Sequence, residues 1–404
     1  MKQKLLHFLF VIAAIITAIP IANAADYNYS SPTKAWAHSE TTYSSRYYSI
    51  AVSEDNIFTL PSVSSTGTGM YSTYYTKGLR FSSSGVVAFS GGSGSYAFPN
   101  GSSGSYYYLG PATASDSKGT FIAATRRAGT PDGFGWASNV QSVAYYTSNP
   151  SSDNLNHTKP VAGSKEPINF SSTPISGRTD KMSAYGDVAN GTGYLWFIPG
   201  NANNSYVGVE RITTTSSGTV TSKRQWPFPS AITNIDNNTS RIMQYSNNCV
   251  LLDVHNKNFF KGIISNDHET ITWTDLGIKA SEGTGAAMFI LGNHEILAYT
   301  SSSTQVTLYD VTDKKTISTF SPFSSASSVS STRHAIDVRV SGNTANIYVL
   351  VPGQGAGKWT MTATPITSAV TSHKAALASG STSVVNVTWG KPSQGTATKY
   401  AISY

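Results

Sequence analysis

The chain has 404 residues and a formal net charge of +7, from 28 Lys and Arg against 21 Asp and Glu. Charged residues are only 12% of it, while Ser, Thr, Gly, Asn and Tyr are abundant. That balance argues against long helices, which draw on Glu, Lys, Arg, Ala and Leu. The basic residues are scattered rather than gathered on one stretch, which argues against a nucleic-acid partner.

The first residues have the form of an export signal. Lys2 and Lys4 precede a mostly apolar run from Leu5 to Ile21, Pro20 breaks it, and Ala22-Asn23-Ala24 supplies a small-x-small cleavage site. The run is about long enough to span a bilayer, but the proline and the small residues favour cleavage over anchoring. Residues 1–24 are therefore expected to be removed. The mature protein is expected to be secreted or held at the cell surface, with no membrane span of its own. Cys249 is the only cysteine, so no internal disulfide forms. It opens the apolar run Cys-Val-Leu-Leu and reads as a buried structural thiol.

Residues 25–45 are polar and rich in Tyr and Ser, and read as a leader strand or an unpaired arm. Tyr47 to Val52 and Ile57 to Leu60 follow as two strands joined by the tight polar turn Glu-Asp-Asn. Met70 to Tyr75 and Val86 to Phe89 continue the series. Residues 90–105 are Gly/Ser-rich and read as turns and a surface loop. A second unit holds Tyr106 to Leu109, Gly119 to Thr125 and Val143 to Tyr146, and 147–181 is a long polar connection. The third unit is the clearest. Gly191 to Gly193 make a turn, Tyr194 to Ile198 a buried central strand, Ser205 to Arg211 a second strand, and Thr219 to Arg224 close it. A fourth unit holds strands at 241–245, 249–254, 259–264 and 270–273. A fifth holds strands at 286–291, 295–299, 305–310 and 316–320, and a sixth at 335–340, 346–351 and 358–362.

Units of about 40 to 60 residues with three or four short strands each are the pattern of propeller blades. The expectation is an all-β chain whose residues 25–366 form a β-propeller of six blades. A linker over 367–382 follows. The segment 383–404 carries an alternating strand ending in Trp389, then Pro392, then Tyr400-Ala-Ile-Ser-Tyr404. It resembles the opening of a fibronectin type III domain, which implies an incomplete immunoglobulin-like β-sandwich at the C-terminus. Taken together, the chain resembles a secreted bacterial β-propeller-like protein.

Chemistry is hard to find in the sequence. His268-Glu269 and His294-Glu295 begin like a zinc-protease pair, but the residues four places after each His are Thr272 and Ala298, so both read as turn residues. Gly353-Gln-Gly-Ala-Gly-Lys358-Trp359 has the wrong spacing for a phosphate loop and reads as a hairpin. Asp310 with Asp313, Asp253, and Asp236 read as standing apart, so no metal site is assigned, and no cofactor or catalytic residue. Thr130-Pro-Asp132-Gly-Phe-Gly-Trp136 is similar to the Asp-box turn of sialidase-type propellers. It occurs once, and its Gly and Trp stand one residue out of place. Arg126, Arg127, Asp132, Phe134 and Trp136 combine two cations, an acid and two aromatics on an expected loop, and form the candidate ligand-binding set. With 23 Tyr and 7 Trp, stacking on sugars or protein anchors is in supply. The leading expectation is a non-enzymatic adhesion or binding protein whose partner is an extracellular glycan or protein. The alternative is a carbohydrate-active enzyme, a glycosidase or lyase, which an arginine cluster or a pair of carboxylates at the propeller centre would favour.

Overall fold

The computed structural model describes residues 27–41, 49–59, 77–90, 107–108, 112–128, 141–147, 168–169, 182–198, 208–216, 220–233, 240–254, 257–279, 285–302, 304–323, 335–366, 374–377 and 385–388. Every regular element among them is a β-strand. The chain divides into two compact units, one of residues 31–361 and one made from the two ends, residues 1–30 with 362–404.

Two short strands come first, β1 (Tyr27–Tyr29) and β2 (Thr33–Ser39). The first sheet is a meander of β3 (Ala51–Ser53), β4 (Asn56–Thr59), β5 (Lys77–Ser82) and β6 (Gly85–Ser90). A second sheet holds β7 (Tyr107–Tyr108), β8 (Ala112–Ser115), β9 (Phe121–Ala128), β10 (Gln141–Thr147) and β11 (Ile168–Asn169), with β7 and β8 both paired to β9. The third runs through β12 (Ser183–Tyr185), β13 (Tyr194–Phe197), β14 (Gly208–Thr214) and β15 (Val220–Pro227). The fourth runs through β16 (Arg241–Gln244), β17 (Cys249–Asp253), β18 (Asn258–Ile264) and β19 (Ile271–Lys279). The fifth comprises β20 (Ala286–Leu291), β21 (His294–Ser302), β22 (Gln305–Asp310) and β23 (Lys315–Phe320). The sixth takes β24 (Ala335–Ser341), β25 (Thr344–Val351) and β26 (Gly355–Pro365), and adds β2 from the other end of the chain beside β26.

Local sequence explains the meanders. At Glu54-Asp55 and at Gly292-Asn293 both central residues are left-handed, with φ of 46° and 66° and of 60° and 66°. This is the type I′ geometry whose twist matches that of paired strands. The two middle strands of the third sheet are buried on both faces: Leu195, Trp196 and Phe197 of β13 are at most 1% exposed. Sandwiched strands of this kind lose their period-2 alternation, which is why Tyr-Leu-Trp-Phe reads as a continuous apolar run.

The sheets pack face to face in sequence. Ala114 and Ile122 of the second sheet meet Leu195, Phe197 and Ile212 of the third. Trp196, Val209 and Trp226 of the third meet Ile242, Val250 and Phe260 of the fourth. Leu251 and Phe259 of the fourth meet Ala286, Met288 and Leu297 of the fifth. The rings of Phe320 and Trp359, 5.4 Å apart, join the fifth and sixth. Trp36, Tyr348 and Leu350 of the sixth then meet Ile50, Ile57, Leu79 and Phe81 of the first. Each such side chain, fully buried, contributes about 1.5–3 kcal/mol. The packing returns to its starting sheet, and the fold of this unit is a β-propeller.

In the smaller unit β1 pairs with the last residues of β26, Tyr29 opposite Ala363 and Tyr27 opposite Pro365. A separate two-stranded ribbon joins β27 (Lys374–Leu377) to β28 (Val385–Thr388). β27 falls in the stretch expected to be a linker, and β28 in the segment expected to open a fibronectin type III domain. Residues 389–404, the export signal and the strand expected over 70–75 lie outside them.

Candidate functional site

One strand of each sheet lies beside a strand of the next. β3 packs beside β8, β8 beside β12, β12 beside β16, and β20 beside β24. Polar side chains of these strands therefore converge where the sheets meet, and one group spans the centre. Arg339 of β24 reaches past the first sheet to β8, where its Nη1 donates to the Asp116 carbonyl at 2.7 Å and its Nη2 to the Ser115 carbonyl at 3.3 Å. The same Nη2 donates to Ser115 Oγ, and to Asp337 Oδ2 at 3.1 Å.

Ser115 Oγ is fully used: it accepts from Val52 N at 2.8 Å and from Arg339, and donates to Asp337 Oδ2 at 3.2 Å. A hydroxyl has one donor and two acceptor positions, so no capacity remains for nucleophile activation. Asp337 Oδ1 in turn accepts from Val338 N at 2.8 Å.

Arg241, at the start of β16, completes the group. Its cross-strand partner in the register is Asp253, and both Asp253 and Asp337 attract its guanidinium. Burial, the largest influence, lowers its pKa, and the two carboxylates pull it back up. A guanidinium nevertheless stays charged in a protein. Among the described residues Arg241 makes no direct ion pair, and the Nε of Arg339 is buried without an acceptor. The centre thus offers spare cationic donors beside carboxylates that are already engaged.

Of the candidate set from the sequence, only Arg126 and Arg127 are among the described residues. Arg126 and Arg127 lie within β9, in register with Ser142 and Gln141 of β10, not on a loop. Asp132, Phe134 and Trp136 lie outside the described residues. Sequence reasoning missed Ser115, Arg241, Asp337 and Arg339. Asp337 and Arg339 stand two apart in β24, but Ser115 and Arg241 lie in other sheets, and only ring closure brings the four together.

A second polar group forms at one edge of the fifth sheet. His294, expected in a turn, is instead the first residue of β21 and is buried. Its Nδ1 lies 2.7 Å from Asp310 Oδ2 and 3.7 Å from Asp313 Oδ2. His294, Asp310 and Asp313 present possible ligand atoms within 4.8 Å of one another, a grouping that the sequence reading did not make. Their carboxylates are already met from within the protein, by the His294 ring, by Asp313 N on Asp310 Oδ1 at 2.9 Å, and by Lys315 Nζ on Asp313 at 2.7 Å. The arrangement ties the β22–β23 turn to the start of β21. Cys249, expected to be buried, is half-buried and free.

No family model matches the chain, and no curated protein matches it. Solved structures similar to it include a DUF4623 family protein from Bacteroides eggerthii, with 9% identity and a TM-score of 0.49 over 80% of this chain and 72% of that one. A protein of unknown function from Dyadobacter fermentans gives 10% identity and a TM-score of 0.46 over 82% and 99%. Trypanosoma rangeli sialidase in complex with sialic acid gives 7% identity and 0.41 over 83% and 58%. Likenesses this distant carry no argument about the chemistry of the centre.

Proposed function

We propose that this is an exported binding protein, secreted or held at the cell surface. In this reading a six-bladed propeller takes an acidic group of an extracellular glycan or protein ligand at its centre. The observation that carries the proposal is Arg241, a charged guanidinium where the sheets meet, with no direct ion pair of its own among the described residues. Arg241 is half-buried, and an incoming carboxylate would meet its guanidinium with a charge-assisted, bidentate bond. Support for six blades comes from the six consecutive sheets and the packing of the sixth on the first. Export is supported by the composition of residues 1–24.

A carbohydrate-active enzyme is the second reading, favoured by the pairing of Arg339 with Asp337 and by the attraction of Asp337 for Arg241. Against it stands the engagement of Asp337 by Ser115, Arg339 and Val338 N, which occupies both oxygens that proton transfer would need.

The test is a glycan array carrying uronic-acid, sulfated and neutral sugars, probed with wild type and Arg241→Met. Wild type is expected to bind acidic glycans without cleaving them. The variant is expected to fold normally and bind about ten- to a hundredfold more weakly, the loss of one charged hydrogen-bond pair. Absence of binding to any glycan, or full binding by the variant, would overturn the reading. Release of sugar fragments would move it to the enzyme.

A further inference from the structure

A second arginine in the molecule is buried more completely than Arg241 and is less well provided for. Arg211, in β14, is 5% exposed, and its Nη1 is buried without a hydrogen-bond acceptor. Its guanidinium carbon lies 4.2 Å from the ring centre of Tyr194, 5.2 Å from that of Trp226 and 5.6 Å from that of Trp196. The two Trp rings stack on each other at 5.5 Å.

Side chains two apart in a strand share a face, so Arg211 is on the side of Val209, which packs against the fourth sheet. The neighbouring acid does not help. Glu210 projects to the other face, where Lys223 lies 3.1 Å from its Oε2 and Gln225 also donates to that oxygen. Directly opposite Arg211 on β15 stands a second cation, Arg224. Like charges facing each other across a ladder repel. Arg224 has its own partners in the fourth sheet, Glu269 at 2.6 Å and the His268 carbonyl at 3.0 Å. Trp273 Nε1, donating to the Pro227 carbonyl at 3.2 Å, ties the same two sheets together.

We propose that the seam between the third and fourth sheets, around Arg211, is a binding site for a small oxyanion, a carboxylate or a sulfate, separate from the propeller centre. Aromatic faces attract a guanidinium but supply no acceptors for its N–H groups. A paired charge can be buried, whereas a lone one is disfavoured. An oxyanion would accept from Nη1, offset the repulsion from Arg224, and keep Arg211 stacked on Tyr194 and Trp226. Its recognition would combine one charge with an aromatic wall, which suits the acidic substituent of a sugar.

The experiment reads tryptophan fluorescence and thermal unfolding of the full chain, titrated with sodium glucuronate and sodium sulfate, with sodium chloride as the ionic-strength control. Trp196 and Trp226 touch Arg211, so occupancy is read where it occurs. Wild type is expected to respond to at least one of the two anions beyond chloride and to unfold at a higher temperature in its presence. A response to glucuronate alone assigns a carboxylate, and to sulfate alone a sulfate. Arg211→Met should lose the tryptophan-fluorescence response, a fall of at least about tenfold in apparent affinity. Arg211→Lys retains charge without the planar fork and should respond weakly. The proposal is overturned if wild type shows no response beyond chloride, or if Arg211→Lys responds as strongly as wild type. Should Arg211→Met fail to fold, the Arg211→Lys titration decides alone.

Discussion

Gly355→Ala is expected to lower stability by about 3–4 kcal/mol, combining overpacking with a disfavoured backbone. Gly355 opens β26 with φ of +139°, opposite Ser39 of β2. A Cβ at this position would sit 2.0 Å from the His38 carbonyl oxygen and 2.9 Å from Ser39 Cα, both backbone atoms of the closing strand. No rotamer change relieves that contact, so β2 must move away from β26. Gly342→Ala is the control. Its φ of +56° is also left-handed, but nothing lies within 4 Å of the added carbon, and its cost should be only about 1 kcal/mol. Urea unfolding of the two variants measures the difference. Equal midpoints would mean that the β2–β26 junction contributes little to closure.

The second large effect is expected at Asp116. This carboxylate is fully buried and joins two sheets. Its Oδ1 accepts from Lys118 N at 3.0 Å and Thr120 N at 2.9 Å, and its Oδ2 from Val188 N of the third sheet at 3.0 Å. Asp116→Ala leaves three backbone donors without an acceptor, at about 1–3 kcal/mol for each that stays dry. The expected total is about 3–5 kcal/mol, because water re-satisfies part of the set.

Asp116 also carries a pH signature. Burial is the largest influence and raises its pKa above the ordinary 3.8, while the bonds to Thr120, Val188 and Lys118 oppose the shift. The native state therefore holds the proton to higher pH than the unfolded chain does. Between the two pKa values stability falls as pH rises. Acidification from neutral pH toward that window should thus stabilise wild type relative to Asp116→Asn. Urea midpoints of both proteins across that range measure it, and parallel curves would show that the group does not titrate between the two states.

Much of the architecture was legible because the outer units carry strong strand signals. The expected strands at 286–291 and 305–310 coincide with β20 and β22. What was missed is physical rather than random. β8 (Ala-Thr-Ala-Ser) and β12 (Ser-Ala-Tyr) are short and polar, with no alternation to read. They form because neighbouring sheets flank them at the crowded centre. The central cluster follows from those same strands. Ser115 and Asp337 are 222 residues apart, and no local spacing marks them as neighbours. His294 with Asp310 was within reach, since an odd number of strand residues and one hairpin separate them, but Glu295 beside His294 drew attention to the wrong motif. Arg126 and Arg127 attracted notice as adjacent charges, and the strand pairing of β9 with β10 places them in a ladder.

The closing sheet also sets an order of events during synthesis. Thr33 of β2 pairs with Thr360 of β26, so the first propeller strand to leave the ribosome waits for nearly the last. Until then β2 has an unpaired edge, which invites pairing with other chains, and the ring must be joined through a very long loop. Folding should therefore end in a slow step, in keeping with folds dominated by non-local pairing. The nascent chain is most vulnerable just before that step, when five sheets have formed and the sixth still lacks its outer strand.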